Sequence, residues 1–190
     1  MKTWPLSCLC LFILFLGTSC VNSHELFQKD AKDWTAYGDA EWSYSKNTLI
    51  AKVSDGNGFI MTNQSYKDFI LELEFKPDST INSGVFVRCA KKELSATDCH
   101  ELNIWDLHPN QDYRTGAIVT KTVPLMDVET INKWNTYKIK TNKSQIQVWV
   151  NDTLTADSYQ EYPLEGFIAL QAMGTGEIRF RNIRIRPARK

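Results

Sequence analysis

The segment from Cys99 to Pro109, CHELNIWDLHP, concentrates side chains that could transfer protons or bind a metal ion. It holds two of the chain's three histidines, His100 and His108, together with the carboxylates of Glu101 and Asp106. Imidazole and carboxylate groups are the usual acids and bases of enzymes and are common ligands of divalent ions. The segment therefore predicts either proton-transfer chemistry or an oxygen and nitrogen metal site built on Asp106 and His108.

The spacing of the two carboxylates limits the mechanism. Glu101 and Asp106 are five residues apart, so an unbroken strand would place them on opposite faces of its sheet. Two-carboxylate glycosidases need both groups beside one bond, so that mechanism is disfavoured. For His108, an ordinary position in the loop before Pro109 fits as well as a functional one, and for His100 the ordinary interpretation is favoured.

Short runs of alternating apolar and polar residues must position these groups. The clearest run is Phe69–Lys76, which is typical of a strand with one buried side. Similar runs are Leu49–Val53, Phe59–Thr62, Val85–Cys89, Leu102–Trp105, Ala117–Thr120, Tyr137–Lys140, Ile146–Val150, Phe167–Ala172 and Ile178–Arg186. Turn signals separate them, among them Asp55–Gly58 and Gly174–Gly176. The pattern predicts an all-β antiparallel sandwich or barrel.

The last run contains an irregularity. Its apolar residues change parity between Phe180 and Ile183. We therefore expect a β-bulge near Arg181 and Asn182, which would let the apolar residues on both sides face the core.

Strand parity also groups a candidate binding face. If Val85, Val87 and Cys89 point to the core, their neighbours along the strand point to the opposite side of the sheet. The same alternation applies to the runs Leu102–Trp105 and Phe167–Ala172. The polar and aromatic members of this face would be Arg88, Glu101, Asn103, Trp105 and Gln171. They supply the hydrogen-bonding groups and the aromatic platform that a sugar requires. The alternative is a solvated face without a ligand, on which Arg88 pairs with Glu101.

The N-terminus predicts export. Lys2 precedes an apolar run from Leu6 to Leu16, so residues 1–20 are expected to be a signal peptide or a lipoprotein signal. Residues 21–190 are long enough for one domain and short for two, and no linker divides them. We therefore expect a single exported β-sandwich domain in the periplasm or the cell envelope.

The cysteines bear on how the chain is anchored. Cys20 is a candidate for lipidation, although Gly17 stands where lipoprotein signals usually have Leu, so cleavage after Ser19 remains open. Such a lipid would be the only membrane attachment. Cys89 and Cys99, ten residues apart in an exported chain, are expected to form a disulfide, with free thiols or a metal pair as alternatives.

Charge and composition restrict the partners. Lys and Arg equal Asp and Glu at 22 each, so no strong field attracts nucleic acid, and none is expected as a partner. Aromatic residues make up 12% of the chain and include six Trp, which can stack neutral rings but also serve ordinary packing. We expect a neutral ligand such as a small saccharide or glycoside.

Seven segments together resemble a known family. They are Tyr66-Lys-Asp-Phe-Ile-Leu-Glu-Leu-Glu-Phe-Lys76, Asn82-Ser-Gly-Val-Phe-Val-Arg88, Glu101-Leu-Asn-Ile-Trp-Asp106, Arg114-Thr-Gly-Ala-Ile118, Trp134-Asn135, Gly166-Phe-Ile-Ala-Leu-Gln171 and Phe180-Arg-Asn-Ile-Arg-Ile185. Over most of residues 26–187 their order and spacing are similar to the 3-keto-disaccharide hydrolase domain of exported bacterial proteins. The resemblance implies a concanavalin A-like jelly-roll β-sandwich that cleaves glycosides whose sugar is oxidised at carbon 3.

The resemblance also implies a mechanism. The ketone acidifies the C2 proton, so a base can drive elimination of the glycosidic oxygen, and water can then add to the product. By family position, the proton carrier is one of Glu101, Asp106 and His108. The substrate would be held by Arg88, Asn103, Trp105 and Gln171. The resemblance implies no definite cofactor, but a divalent metal ion could polarise the ketone. The resemblance does not identify the residues that would bind this ion.

One departure from the family pattern concerns the residue after Ala172. Many members have Asp-His-Gly after the Gln, whereas this chain has Ala172-Met-Gly174. Met173 thus replaces a histidine that could serve in catalysis or metal binding. The two main hypotheses are an enzyme that cleaves 3-keto-glycosides and a lectin-like surface protein that only binds sugar. A structural protein without a ligand is the third.

Overall fold

Eleven strands and one short 3-10 turn make up the regular structure of residues 23–29 and 31–188, the part of the chain that this computed structural model describes. The strands are β1 (His24–Glu25), β2 (Trp34–Gly38), β3 (Glu41–Ser45), β4 (Thr48–Thr62), β5 (Phe69–Pro77), β6 (Ile81–Cys89), β7 (His100–Ile104), β8 (Asn135–Asn142), β9 (Gln145–Val150), β10 (Thr153–Tyr159) and β11 (Phe167–Pro187). The 3-10 turn is Gln111–Tyr113. Among these residues no helix is long and apolar enough to cross a membrane. The predicted leader and Cys20 lie outside the described residues.

Two long strands, β4 and β11, take part in both layers of the fold. Residues 169–174 of β11 pair with the end of β4 on one side and with β6 on the other. Residues 178–187 of β11 pair instead with β5, and residues 178–180 also pair with the start of β4. The continuous sheet therefore folds over on itself. We call the β2, β4, β11, β6 and β7 part the front layer, and the part that contains β3, β5, β8, β9 and β10 the back layer.

The segments predicted as turns at 55–58 and 174–176 are the places where these two strands bend. Gly56 is the register partner of Gly174, and a register shift follows at Thr175. Gly174 and Gly176 have φ angles of +81° and +142°, which glycine adopts without a steric penalty. The chain therefore changes direction without reversing, and the runs predicted as separate strands on either side join into β4 and β11.

The core lies between the two layers. The alternation predicted for 69–76 is confirmed, because Phe69, Leu71, Leu73 and Phe75 are all buried. The bulge expected in β11 is also confirmed by a register shift between Arg181 and Arg184. The hydroxyl of Tyr137 on β8 donates to the carbonyl oxygen of Asn103 on β7 at 3.2 Å and so links the layers. The predicted antiparallel β-sandwich is thus confirmed, whereas the run 117–120 forms only isolated bridges at Ile118.

The predicted disulfide between Cys89 and Cys99 is present and closes the loop 90–98. Its position corrects the parity prediction for β6. Val85 and Val87 do belong to the main core, but Arg88 has a φ of +56°, which reverses the alternation at the end of the strand. Cys89 consequently packs with Phe86 in a second apolar cluster on the outer side of the front layer.

The hydrogen bond between the layers predicts a stability effect. Tyr137→Phe removes the hydroxyl that reaches Asn103 and should lower the free energy of unfolding by about 1 kcal/mol, measured by urea denaturation. Tyr159→Phe is the matched control, because Tyr159 is 71% exposed. Equal stability of both variants would contradict a role for this bond.

Candidate functional site

The outer side of the front layer brings polar and aromatic side chains from five strands together. Strand register places Asn103, Gly84, Gln171, Phe59 and Tyr37 in one row. The next row contains Glu101, Phe86, Ala169 and Met61. Alternate residues of a strand point to the same side, so both rows lie on one side of the sheet, which we call the front face. Phe86, Ala169 and Met61 of the second row are buried there. The prediction that Glu101, Asn103 and Gln171 lie on one sheet face agrees with this register.

Glu101 is the ionisable group of the front face that stands out. Its carboxyl group makes no hydrogen bond or ion pair with any residue that the structure describes. Burial raises the pKa of this carboxyl from 4.5 to about 7. Near neutral pH the group is therefore present in both forms and can accept or donate a proton.

Gly84 lies directly beside the Glu101 side chain. A Cβ atom on Gly84 would lie 3.4 Å from Glu101 Cγ and 3.3 Å from the carbonyl oxygen of Leu102. On the other side of Gly84 lies Gln171, which is 6% exposed and whose Oε1 is buried without a hydrogen-bond partner. An unpaired buried acceptor is uncommon in folded proteins. A sugar hydroxyl over Gly84 could donate to it while the ring contacts Glu101.

Asn103 belongs to the same row, but its side chain is already used. Nδ2 donates to the carbonyl oxygen of Tyr113, and Oδ1 accepts from the backbone N–H of Ile104. Only 2% of the residue is exposed. Asn103 therefore fixes the 3-10 turn against β7 and forms the wall of the face.

Asp106 lies in the interior and not on the front face. Its carboxylate accepts from Thr115 Oγ1 at 2.5 Å, from Thr130 N at 2.5 Å and from Thr130 Oγ1 at 2.8 Å. These three bonds join the loops around residues 115 and 130 to the end of β7. The structure thus assigns Asp106 a structural position and does not bring it together with Glu101.

Trp105 and His108 follow β7, which ends at Ile104. The two rings meet edge to face with centroids 4.5 Å apart, and the His108 ring contacts Tyr113 in the same way at 5.5 Å. His108 Nδ1 accepts from the backbone N–H of Asn110 at 3.0 Å, so in the neutral form Nε2 carries the proton. These partly exposed rings border the Asn103 end of the front face.

Arg88, expected on this face, lies elsewhere. It is fully buried, and its Nε and Nη2 both donate to the carbonyl oxygen of Lys67, at 3.2 and 3.1 Å. Nη2 also pairs with Asp68 at 3.3 Å, so Arg88 does not form the pair with Glu101 that was the alternative prediction. The cause is its positive φ, which turns the side chain away from the face.

His100 also has a structural position, as the sequence favoured. It is fully buried between the carbonyl oxygen of Pro163, 3.0 Å from Nε2, and Lys121 Nζ, 2.8 Å from Nδ1. Burial lowers the pKa of the ring to about 4. The neutral ring therefore donates to Pro163 and accepts from Lys121 at neutral pH.

Two aromatic residues of the front face were not singled out by the sequence. Tyr37 and Phe59 stack with centroids 4.9 Å apart and an interplanar angle of 17°, and both remain partly exposed. The stretch around Tyr37 lacks a sustained period, so its parity is not visible. Phe59 could have been found, because Ile60 is an apolar core position and alternation sends its neighbour outward.

No cluster suited to a metal ion accompanies these groups. Within residues 23–29 and 31–188, no three His, Cys, Asp or Glu side chains are grouped so that they could hold an ion. Asp106 and His108 were the pair predicted to bind a metal ion. The Asp106 carboxylate instead accepts hydrogen bonds from Thr115 and Thr130. The donor set of the front face therefore does not fit a resident divalent ion.

The described residues thus form an antiparallel β-sandwich whose front face carries polar and aromatic side chains. The family model of the 3-keto-alpha-glucoside-1,2-lyase-like domain matches residues 22–186, and the chain belongs to this family. No match was found among the curated proteins.

Solved structures agree with this assignment. A candidate glycosyl hydrolase from Parabacteroides distasonis has 26% sequence identity and a TM-score of 0.74, over 88% of this chain and 100% of the other. A second one from the same organism has 17% identity and a TM-score of 0.71, over 85% and 91% of the two chains. The carbohydrate-binding module CBM66 from Bacillus subtilis has 15% identity and a TM-score of 0.61, over 84% and 99%. The predicted concanavalin A-like fold is thus confirmed.

The raised pKa of Glu101 predicts a pH-dependent effect on stability. Because the folded-state pKa of about 7 exceeds the unfolded value of 4.5, Glu101 stabilises the fold below pH 4.5, and this contribution is lost as the pH rises through 7. The side chain introduced by Glu101→Gln does not ionise, so the variant does not lose this stability as the pH rises. At pH 8 the variant should be more stable than the wild type by roughly 1 to 3 kcal/mol, and at pH 4 the difference should be small.

Urea denaturation at several pH values measures this difference. Glu161→Gln, which removes one carboxylate from an exposed loop, is the control. A difference between Glu101→Gln and the wild type that stays constant from pH 4 to pH 8 would show that Glu101 does not titrate anomalously.

Proposed function

We propose that this chain binds a glycoside on the front face and cleaves glycosides whose sugar carries a ketone at carbon 3. The observation that carries the proposal is the position of Glu101 beside Gly84 on the front face, where its carboxyl group has no hydrogen-bond partner and a pKa of about 7. Membership of the 3-keto-alpha-glucoside-1,2-lyase-like family supports the substrate class. The similarity of the fold to that of the carbohydrate-binding module CBM66 supports a saccharide ligand.

The reaction requires a base at carbon 2 of the sugar. The carboxylate of Glu101 accepts the C2 proton, which the ketone acidifies, and the C2–H electron pair forms a double bond to C1. The bond from C1 to the glycosidic oxygen breaks, and the oxygen leaves with its electron pair and takes back the proton that Glu101 accepted. Addition of water across the double bond completes net hydrolysis. A pKa near the working pH suits a group that accepts a proton and returns it.

The other polar groups of the front face would hold the sugar. The free Oε1 of Gln171 can accept a bond from a hydroxyl, and its amide nitrogen can donate to another sugar oxygen. We favour Glu101 over Asp106 as the proton carrier, because Asp106 is bonded to Thr115 and Thr130 in the interior. His108 borders the face and remains a second proton donor in this proposal.

A lectin-like binding module is the second candidate function. It is favoured by Met173, which is 41% exposed on β11 and stands where many family members have a histidine. Its sulfur lies 3.7 Å from Nδ2 of Asn82. In this alternative the front face binds an unmodified glycan and performs no chemistry.

The proposed place of action is outside the cytoplasm. The leader predicted at residues 1–20 supports export to the periplasm or the cell envelope. A lipid on Cys20 would attach the chain to the membrane.

Removal of the carboxylate tests the proposed chemistry. Glu101→Gln should lower kcat for release of sugar from a 3-keto-disaccharide by about 10²- to 10⁴-fold, because the base is lost while the shape of the face is kept. Free sugar is measured by chromatography, and substrate affinity by calorimetry. In the wild type, kcat/KM should rise with pH through the region near 7.

The control for this experiment is Glu161→Gln, which should retain wild-type turnover. Unchanged turnover in Glu101→Gln would overturn the role of Glu101. Tight binding of unmodified glycans by the wild type, with no release of sugar from any 3-keto-glycoside, would favour the lectin-like alternative.

A further inference from the structure

We propose that Tyr37 and Phe59 form the subsite for the leaving group of the glycoside, and that they select leaving groups containing a ring with an apolar face. The inference rests on the proposed function, because it takes the reacting sugar to lie over Gly84 beside Glu101. The inference goes beyond that function because it assigns the leaving group to the end of the front face formed by Tyr37 and Phe59.

The front face is polar at one end and aromatic at the other. Glu101 lies on β7 at the polar end, next to Gly84 on β6. Phe59 lies on β4 and Tyr37 on the edge strand β2, with the unpaired Gln171 between the two ends. A single sugar over Gly84 would leave the aromatic end unused.

The distances suit a substrate of two rings. Neighbouring strands are about 4.8 Å apart, so Gly84 and Phe59, two strands apart in one row, are separated by about 10 Å. This is about the end-to-end length of a disaccharide or of an aryl glycoside, so a substrate that lies along the row from Gly84 over Gln171 would reach Phe59 with its second ring. Gln171, which lies between them, is placed to contact the oxygens near the bond that breaks.

The aromatic end offers an apolar contact. The Tyr37 and Phe59 rings stack on the outer side of the front layer, away from the main core, and pack against the small cluster that contains Met61 and Ala169. Both rings remain partly exposed to solvent. A phenyl ring, or the apolar face of a pyranose, can cover such a surface and gain by removing it from water.

The test compares three 3-keto-glucosides that differ only in the leaving group: methanol, phenol or glucose. Phe59→Leu keeps the apolar volume and removes the ring. It should lower kcat/KM about 10-fold for the phenyl glycoside and the disaccharide, mainly through KM, and change the methyl glycoside less than about 2-fold. Tyr37→Leu should show the same selectivity. An effect on the phenyl glycoside alone would restrict the subsite to aromatic leaving groups.

Phe167→Leu is the matched control, because Phe167 packs against the same cluster and lies under Lys92 outside the two rows. It should not distinguish the three substrates. Equal losses for all three in Phe59→Leu and Tyr37→Leu would overturn the subsite while leaving the cleavage intact.

If the wild type cleaves none of the three, the proposed function fails, and binding decides the subsite independently. Calorimetry with the phenyl and methyl glucosides should then show about a 10-fold weaker affinity of Phe59→Leu for the phenyl compound only. The same loss for both compounds, or for neither, would overturn the inference.

Discussion

The pairing of β11 with β4 on one side and β6 on the other determines which side chains share the front face. A slip of one residue would send Gln171 into the core and bring Leu170 to the surface, because side chains alternate along a strand. The same strand continues into the back layer, where it pairs with β5. The register of both layers is thus coupled through one backbone, and the candidate site is built on strands with few contributions from loops.

The polar groups near the site fall into two kinds. Asn103, Asp106 and His100 have their hydrogen bonds filled by the protein, and each fixes a loop to β7 or to its neighbour. Glu101 and the Oε1 of Gln171 have no partner among the described residues, although both are largely buried. Buried polar groups without partners lower the stability of the fold. Such groups are typical of functional sites, where a ligand supplies the missing partner.

Period-two patterns in the sequence predicted the sandwich, the bulge near Asn182 and the common face of Glu101 and Gln171. Each of these depends on alternation alone. The prediction failed at Arg88, where a positive φ reverses the alternation, and at Gly174, where the strand bends instead of turning back. Such local backbone changes are not visible in the side-chain pattern.

The predictions beyond β7 assumed that the strand continued, whereas it ends at Ile104. The role of Asp106 then depends on Thr115 and Thr130, which approach it only through the tertiary fold. Chain spacing therefore cannot reveal that its carboxylate is occupied.

The central claim is that Glu101 is the free, protonatable group of a glycoside site. Carbon-13 NMR of the protein with labelled glutamate carboxyl groups tests it directly, with Glu101→Gln used to assign the signal. The account predicts that the Glu101 carboxyl titrates near pH 7 and that its signal shifts when a glycoside is added. Titration at the ordinary value of 4.5, with no response to any glycoside, would contradict it.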